Sequence, residues 1–223
     1  MKLYFQNTFE IFRKELKSEF RTKYVLNSLL MFVLISVSII RFAAGDEKVD
    51  NEILTGLLWV TIFFASVSSL ARTFIKEQDK DTSVALKLTT VIDSVFTGKL
   101  LFNLILSFIT SFITLFLFAV IMNYEIKNLS GFIFFFILGI TGLVIILTII
   151  ASIISKANNK GTLYPVLAFP VLIPLLVSII HSTKLTAEGA ETFSLYEEVI
   201  IILCYIVVVL TASLMLFKFI WED

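Results

Sequence analysis

A chain of 223 residues that is 58% hydrophobic and only 16% charged departs from a soluble domain, which is about half apolar and about a quarter charged. Its 18 basic and 18 acidic residues leave no net charge, which excludes the basic surface expected of a nucleic-acid-binding protein. One cysteine, Cys204, sits in an apolar run and excludes both a disulfide framework and a thiolate metal site.

The first twenty residues carry too many charges for the apolar core of a cleavable signal. The first hydrophobic segment is therefore expected to stay in the mature protein as a signal anchor. Before it, Phe5, Phe9, Phe12, Leu16 and Phe20 recur at steps of four, three, four and four, with Glu10, Arg13, Lys14, Lys17 and Glu19 on the other faces. This spacing predicts an amphipathic helix over residues 3–22 lying in the membrane interface. A solvated helix packed on a soluble partner is the alternative.

A membrane-spanning helix needs about 20 mostly apolar residues. Six stretches meet or approach this: Tyr24–Ile40, Ile53–Ala71, Leu100–Met122, Gly131–Ile154, Thr162–Ile180 and Val199–Phe217. The fold class is accordingly all-α and polytopic, one transmembrane domain over residues 1–223. With the N-terminus inside, fourteen Lys and Arg residues fall on the side of the termini, and Arg41, Lys48, Lys127 and Lys184 on the other. The positive-inside rule then puts both termini in the cytoplasm. The longest polar segment, Arg72 to Lys99, is cytoplasmic in this reading. Its apolar residues from Val84 to Phe96 are at helical spacing, as in one or two short helices. Gly45–Glu52, Asn123–Ser130 and His181–Glu198 are short connections with no room for a folded domain outside.

All three prolines, Pro165, Pro170 and Pro174, fall in the fifth span. Each removes a backbone donor and clashes one turn back, and in lipid the freed carbonyls need new partners. The helix is expected to face the bundle, either as a moving or pathway-lining element or as a static kink. In the third span Asn103, Ser107, Ser111 and Thr114 form one polar stripe, and Gly139 and Gly142 make a small patch in the fourth. Helix packing and a translocation path are the two readings. His181, the one histidine, is a candidate axial haem ligand or a polar end-marker. Arg41 either pairs with an anionic ligand or snorkels to the headgroups.

The chain carries no phosphate-binding GxxxxGK[ST] loop: Gly98-Lys99 is followed by Leu100 and lacks the upstream glycine. The spans hold no carboxylate or lysine for a proton relay, and no His, Asp and Glu cluster for an enzyme. Energy for any work must come from a partner at the cytoplasmic face.

The stretch LLWVTIFFASVSSLARTFIKEQDKDTSVALKLTTVIDSVFTGKLLFN, and SKANNKGTLYPVLAFPVLIPLLVSII with its Gly161-Thr162-Leu163 and Phe169-Pro170, resemble the haem exporter protein B (CcmB) family over nearly the whole chain. The resemblance implies a permease half of type-two ABC exporter architecture in the bacterial inner membrane. It implies two copies paired, a separate ATPase subunit beneath each, a haem-handling membrane protein and a small helper. ATP would act through the partner, haem would be a substrate, and no cofactor would be covalently bound. The family's coupling element would run from Phe74 to Lys99, with Glu77 at its acidic position and Asp81, Leu86 and Leu88 within it. The N-terminal helix would be the family's interfacial elbow. Many members carry glycine mid-loop, whereas Lys80-Asp81-Thr82 has none. A permease for another amphiphile, such as a lipid or drug, and a non-transporting membrane scaffold are the competing functions.

Overall fold

In hydrocarbon each backbone N–H and C=O must be bonded within its own segment, so an isolated apolar stretch of this length has the α-helix as its available form. The computed structural model describes residues 2–22, 24–45, 49–71, 73–74, 90–156 and 160–222. Among them the helices are α1 Lys2–Thr22, α2 Tyr24–Ala44, α3 Asn51–Leu70, α4 Ile92–Met122, α5 Leu129–Ile154, α6 Lys160–Glu188 and α7 Tyr196–Glu222. A 3-10 turn, Thr192–Leu195, leads into α7. Six helices, α2 to α7, are long and apolar enough to cross a membrane, so the chain is a multi-pass all-α membrane protein.

The centre of the bundle is α5, against which α3, α4, α6 and α7 all pack. Its sequence is apolar on every side, as a helix enclosed by others requires, and every residue from Gly142 to Ser152 is buried. Asn128 caps its start, the side-chain oxygen accepting from the Gly131 amide at 3.1 Å. Two glycines set how closely its neighbours approach. A Cβ on Gly139 would lie 2.4 Å from the Trp59 ring and 2.6 Å from Ile179, and one on Gly142 would lie 2.7 Å from Leu175. The Gly139 and Gly142 patch is thus a packing surface for α3 and α6. Gly139→Leu should cost about 1–3 kcal/mol through overpacking, measured as a lower thermal midpoint of the detergent-solubilised protein; an unchanged midpoint would contradict this packing.

Two expected boundaries are corrected. The third span was expected from Leu100, but α4 starts at Ile92. Its 31 residues make a rod about 46 Å long, well beyond a hydrocarbon core of about 30 Å. The apolar periodicity of Val95 and Phe96 belongs to this extension and not to a separate short helix, because both are buried against the rest of the protein. The fifth span was expected to end at Ile180, yet α6 runs on to Glu188, so His181 lies inside the helix.

The proline-bearing span packs on the bundle as expected, against α5 and α3. α6 stays helical through all three prolines, and its buried face is Tyr164, Ala168, Leu172, Leu175 and Ile179, at helical spacing. Pro170 and Pro174 lie on the other side and are exposed on the chain, with Pro165 half-buried. The apolar stripe decides which face meets α5, and the prolines fall outside it. The Tyr205 hydroxyl of α7 donates to the Val171 carbonyl, three residues before Pro174.

At the end of the bundle opposite the termini, the connections are bolted to α6. The Lys127 and Asn128 amides donate to the carbonyls of Ala187 and Thr186 at 3.0 and 3.1 Å, and the Asn128 side chain donates to Ala190 at 2.7 Å. Trp59 donates to the Thr183 hydroxyl at 3.0 Å, and Lys184 pairs with Glu52. Tyr124 and Thr55 share a hydrogen bond of 2.6 Å. Burial pushes the Tyr124 phenol up to about 12, so it keeps its proton and this contact at physiological pH.

Candidate functional site

At the end that carries both termini, polar groups gather around the base of α4. Docking begins with α1, which presents its polar face to the protein. Tyr4 donates to the Thr97 hydroxyl at 3.1 Å, and Thr8 and Thr97 share a contact of 3.2 Å. Gly98 lets the helix in: a Cβ there would stand 2.8 Å from the Thr8 carbonyl and 2.9 Å from Ile11. Phe5 and Phe9 point outward and are about two-thirds exposed, at 64% and 63%, while Phe12 and Leu16 are half-buried.

Lys99 is the centre of this region. Its side chain is 0% exposed, and its Nζ lies 3.0 Å from Glu15 Oε1 of α1. It also donates to the Thr73 carbonyl at 2.7 Å and stands 4.9 Å from the centre of the Phe74 ring. An ammonium taken out of water persists only with such partners. Thr73 follows the end of α3, where carbonyls are left without helical donors and a cation is favoured. The Thr73 hydroxyl donates to Asn103 at 3.2 Å, and Asn103 donates to Thr148 of α5 at 2.9 Å. An aromatic cluster closes the region: the Phe74 ring is 5.7 Å from Phe217 and 6.0 Å from Trp221, and Phe96 is 5.0 Å from Phe217.

Of the residues expected in a coupling loop, the structure brings Phe74 and Lys99 together. Both are buried and hold the protein's own elements together. Glu77, Asp81, Leu86 and Leu88 lie outside the described residues. Asn103, Ser107, Ser111 and Thr114 are all buried; Asn103 bonds between helices, and Thr114 donates to its own helix at Thr110. Packing accounts for those two polar groups. Arg41 donates to the Gly45 carbonyl at the end of α2 through one of the five donors of its guanidinium. His181 is exposed on α6.

Glu15, Thr8 and Thr73 are the residues that sequence reasoning missed. Their signal was faint: a Thr-Gly-Lys step, Thr97 to Lys99, entering an apolar span, small enough for a helix to rest on and charged enough to need a counter-ion.

Fold and site together define a six-span membrane protein in which polar contacts around Lys99 join α1, the end of α3 and the base of α4, with aromatic rings of α7 packed beside them. A family model described as CcmB protein matches residues 6–220, and the chain belongs to the CcmB family. Heme exporter protein B of the bacterium Rhodobacter capsulatus is 28% identical over 165 residues, which is 73% of this chain and 74% of that protein.

Proposed function

We propose that this chain is the membrane subunit of an ABC-type complex for haem export or delivery in cytochrome c biogenesis. In this reading it couples ATP hydrolysis by a partner subunit to release of haem, or of a haem chaperone, at the outer side of the bacterial inner membrane. The observation that carries the reading is the family match over residues 6–220, together with a relative named as a heme exporter over 73% of the chain. A second copy of the chain, a cytoplasmic ATPase, a haem-handling membrane protein and a small helper are the proposed partners. Residues 74–99 form the proposed ATPase-coupling region, with Glu77, Asp81, Leu86 and Leu88 as its contact residues and Phe74 and Lys99 as its inner anchor. The outward Phe5 and Phe9 suit α1 to the membrane interface. Pro165, Pro170 and Pro174 are the proposed pivot, and His181 and Arg41 remain candidate haem contacts.

Deleting the gene tests the function. Loss of c-type cytochromes with b-type cytochromes intact is expected; normal c-type cytochromes would refute the proposal. One observation favours a second reading, a permease for another amphiphile such as a lipid or drug. An apolar groove of about 410 Å³ lies between α6 and α7, lined by Pro174, Leu175, Ser178, Ile202, Tyr205 and Val208. Under that reading the deletion leaves cytochromes unchanged and alters lipid distribution or drug tolerance.

Two further outcomes are expected. Because fourteen basic residues stand on one side against four on the other, a reporter at the C-terminus should read cytoplasm and one at Asp50 the outer compartment. The reverse at both sites would invert every loop. Glu77→Lys should weaken co-purification of the ATPase without affecting membrane insertion; unchanged association and unchanged cytochrome c assembly would remove Glu77 from the docking surface.

A further inference from the structure

Segments far apart in sequence converge on the first turns of α4, and polar groups make the decisive contacts. Lys99 donates to a carboxylate from α1 and to a carbonyl at the end of α3, while α4 itself carries the lysine. Apolar packing alone tolerates small slides between helices. A buried ammonium held by directional acceptors, Glu15 and the Thr73 carbonyl among them, does not, because leaving one unpaired away from water is costly. Thr73, Asn103 and Thr148 extend the connection into the central helix α5. The rings of Phe74, Phe217 and Trp221 tie in the end of α7.

We infer that Lys99 is a positioning residue that makes α1, the Thr73–Phe74 step and the base of α4 move as one body. Displacement of the segment that follows Phe74 is then carried into the spans through α4 and α5, and is not dissipated by slippage of α1. The inference rests on the proposed docking of an ATPase on that segment. It goes beyond it by assigning the transmission to one side chain, and by making α1 a working part of the unit as well as an anchor.

Two readouts test it, one of them independent of any ATPase. With Cys204→Ser as background, Thr8→Cys and Thr97→Cys place two thiols where hydroxyls now lie 3.2 Å apart, within reach of a disulfide. Mild oxidation should close this bridge readily, seen as protection of both thiols from maleimide. Lys99→Met should slow closure about fivefold, the lower bound of a typical coupling between sites, whereas Lys99→Arg should retain most of it. In membranes containing the partner ATPase, Lys99→Met should lower c-type cytochromes about fivefold relative to the amount of ATPase bound. Closing the Thr8→Cys/Thr97→Cys bridge should then restore most of the loss.

Unchanged closure in Lys99→Met overturns the inference, as does slowed closure with normal cytochrome levels. If no ATPase accompanies even the unaltered chain, the docking reading fails, and the oxidation experiment still decides whether Lys99 holds α1. Should Lys99→Met fail to accumulate, Glu15→Gln removes the charge but keeps an acceptor. It is judged by the same two readouts.

Discussion

Glu15→Ala is expected to cost the folded chain about 3 kcal/mol, the lower part of the range for removing one partner of a buried ion pair. The lower part applies because the Glu15 side chain is 13% exposed whereas that of Lys99 is 0% exposed, so water already weakens the carboxylate's hold. Alanine strips the counter-charge and leaves the ammonium enclosed between α1, α4 and the end of α3. The thermal midpoint in detergent should fall, and α1 should become accessible to protease. Glu10→Ala, on the exposed face of the same helix, should stay within about 0.5 kcal/mol of the parent. The paired change Glu15→Leu with Lys99→Met should recover most of the loss, since apolar side chains of similar volume can replace a buried ion pair at little cost. If Glu15→Ala melts with the parent, the pair contributes nothing to holding α1.

Pro170→Ala with Pro174→Ala should move stability and function in opposite directions. Each alanine returns a backbone donor to α6 and relieves a clash worth about 3 kcal/mol in a helix interior. Both positions lie on the exposed face of the chain, so the smaller side chain leaves no internal cavity. The restored amide of residue 174 can donate to the carbonyl of residue 170, and that of residue 170 to the Val166 carbonyl. The protein should therefore be expressed at the parent level and melt no lower. Cytochrome c maturation should nonetheless fall about fivefold if α6 pivots at its prolines in the working cycle. α6 is bolted to the loops and α3 at one end and joined through Tyr164 to the Leu147 carbonyl at the other. Any pivoting must then occur between these anchors, where the prolines stand. Normal maturation in the double variant would make the prolines packing features only.

Most of the architecture was legible because hydrocarbon imposes one rule on every segment. A backbone that cannot bond to water must bond to itself, so uncharged length alone predicts a helix, and six such lengths predict six helices. The family resemblance was legible for a similar reason, since it rests on long blocks that the match over residues 6–220 covers. The ends of the helices were less legible. Ile92 to Phe96 read as part of a separate short helix, yet they form the base of α4, where Val95 and Phe96 are buried by other elements that a local reading does not contain.

What the sequence determined by itself is everything that depends on near neighbours: the number of spans, the amphipathic character of residues 3–22, and the absence of a nucleotide-binding loop. Tertiary structure alone decided which faces meet. Lys99 and Glu15 are 84 residues apart in the chain, and no periodicity in either helix indicates that one neutralises the other. The orientation of the prolines depended likewise on which stripe of α6 packs best against α5. Tyr164, Ala168, Leu172, Leu175 and Ile179 won that place because side chains on one helical face can bury together, leaving Pro170 and Pro174 to point away.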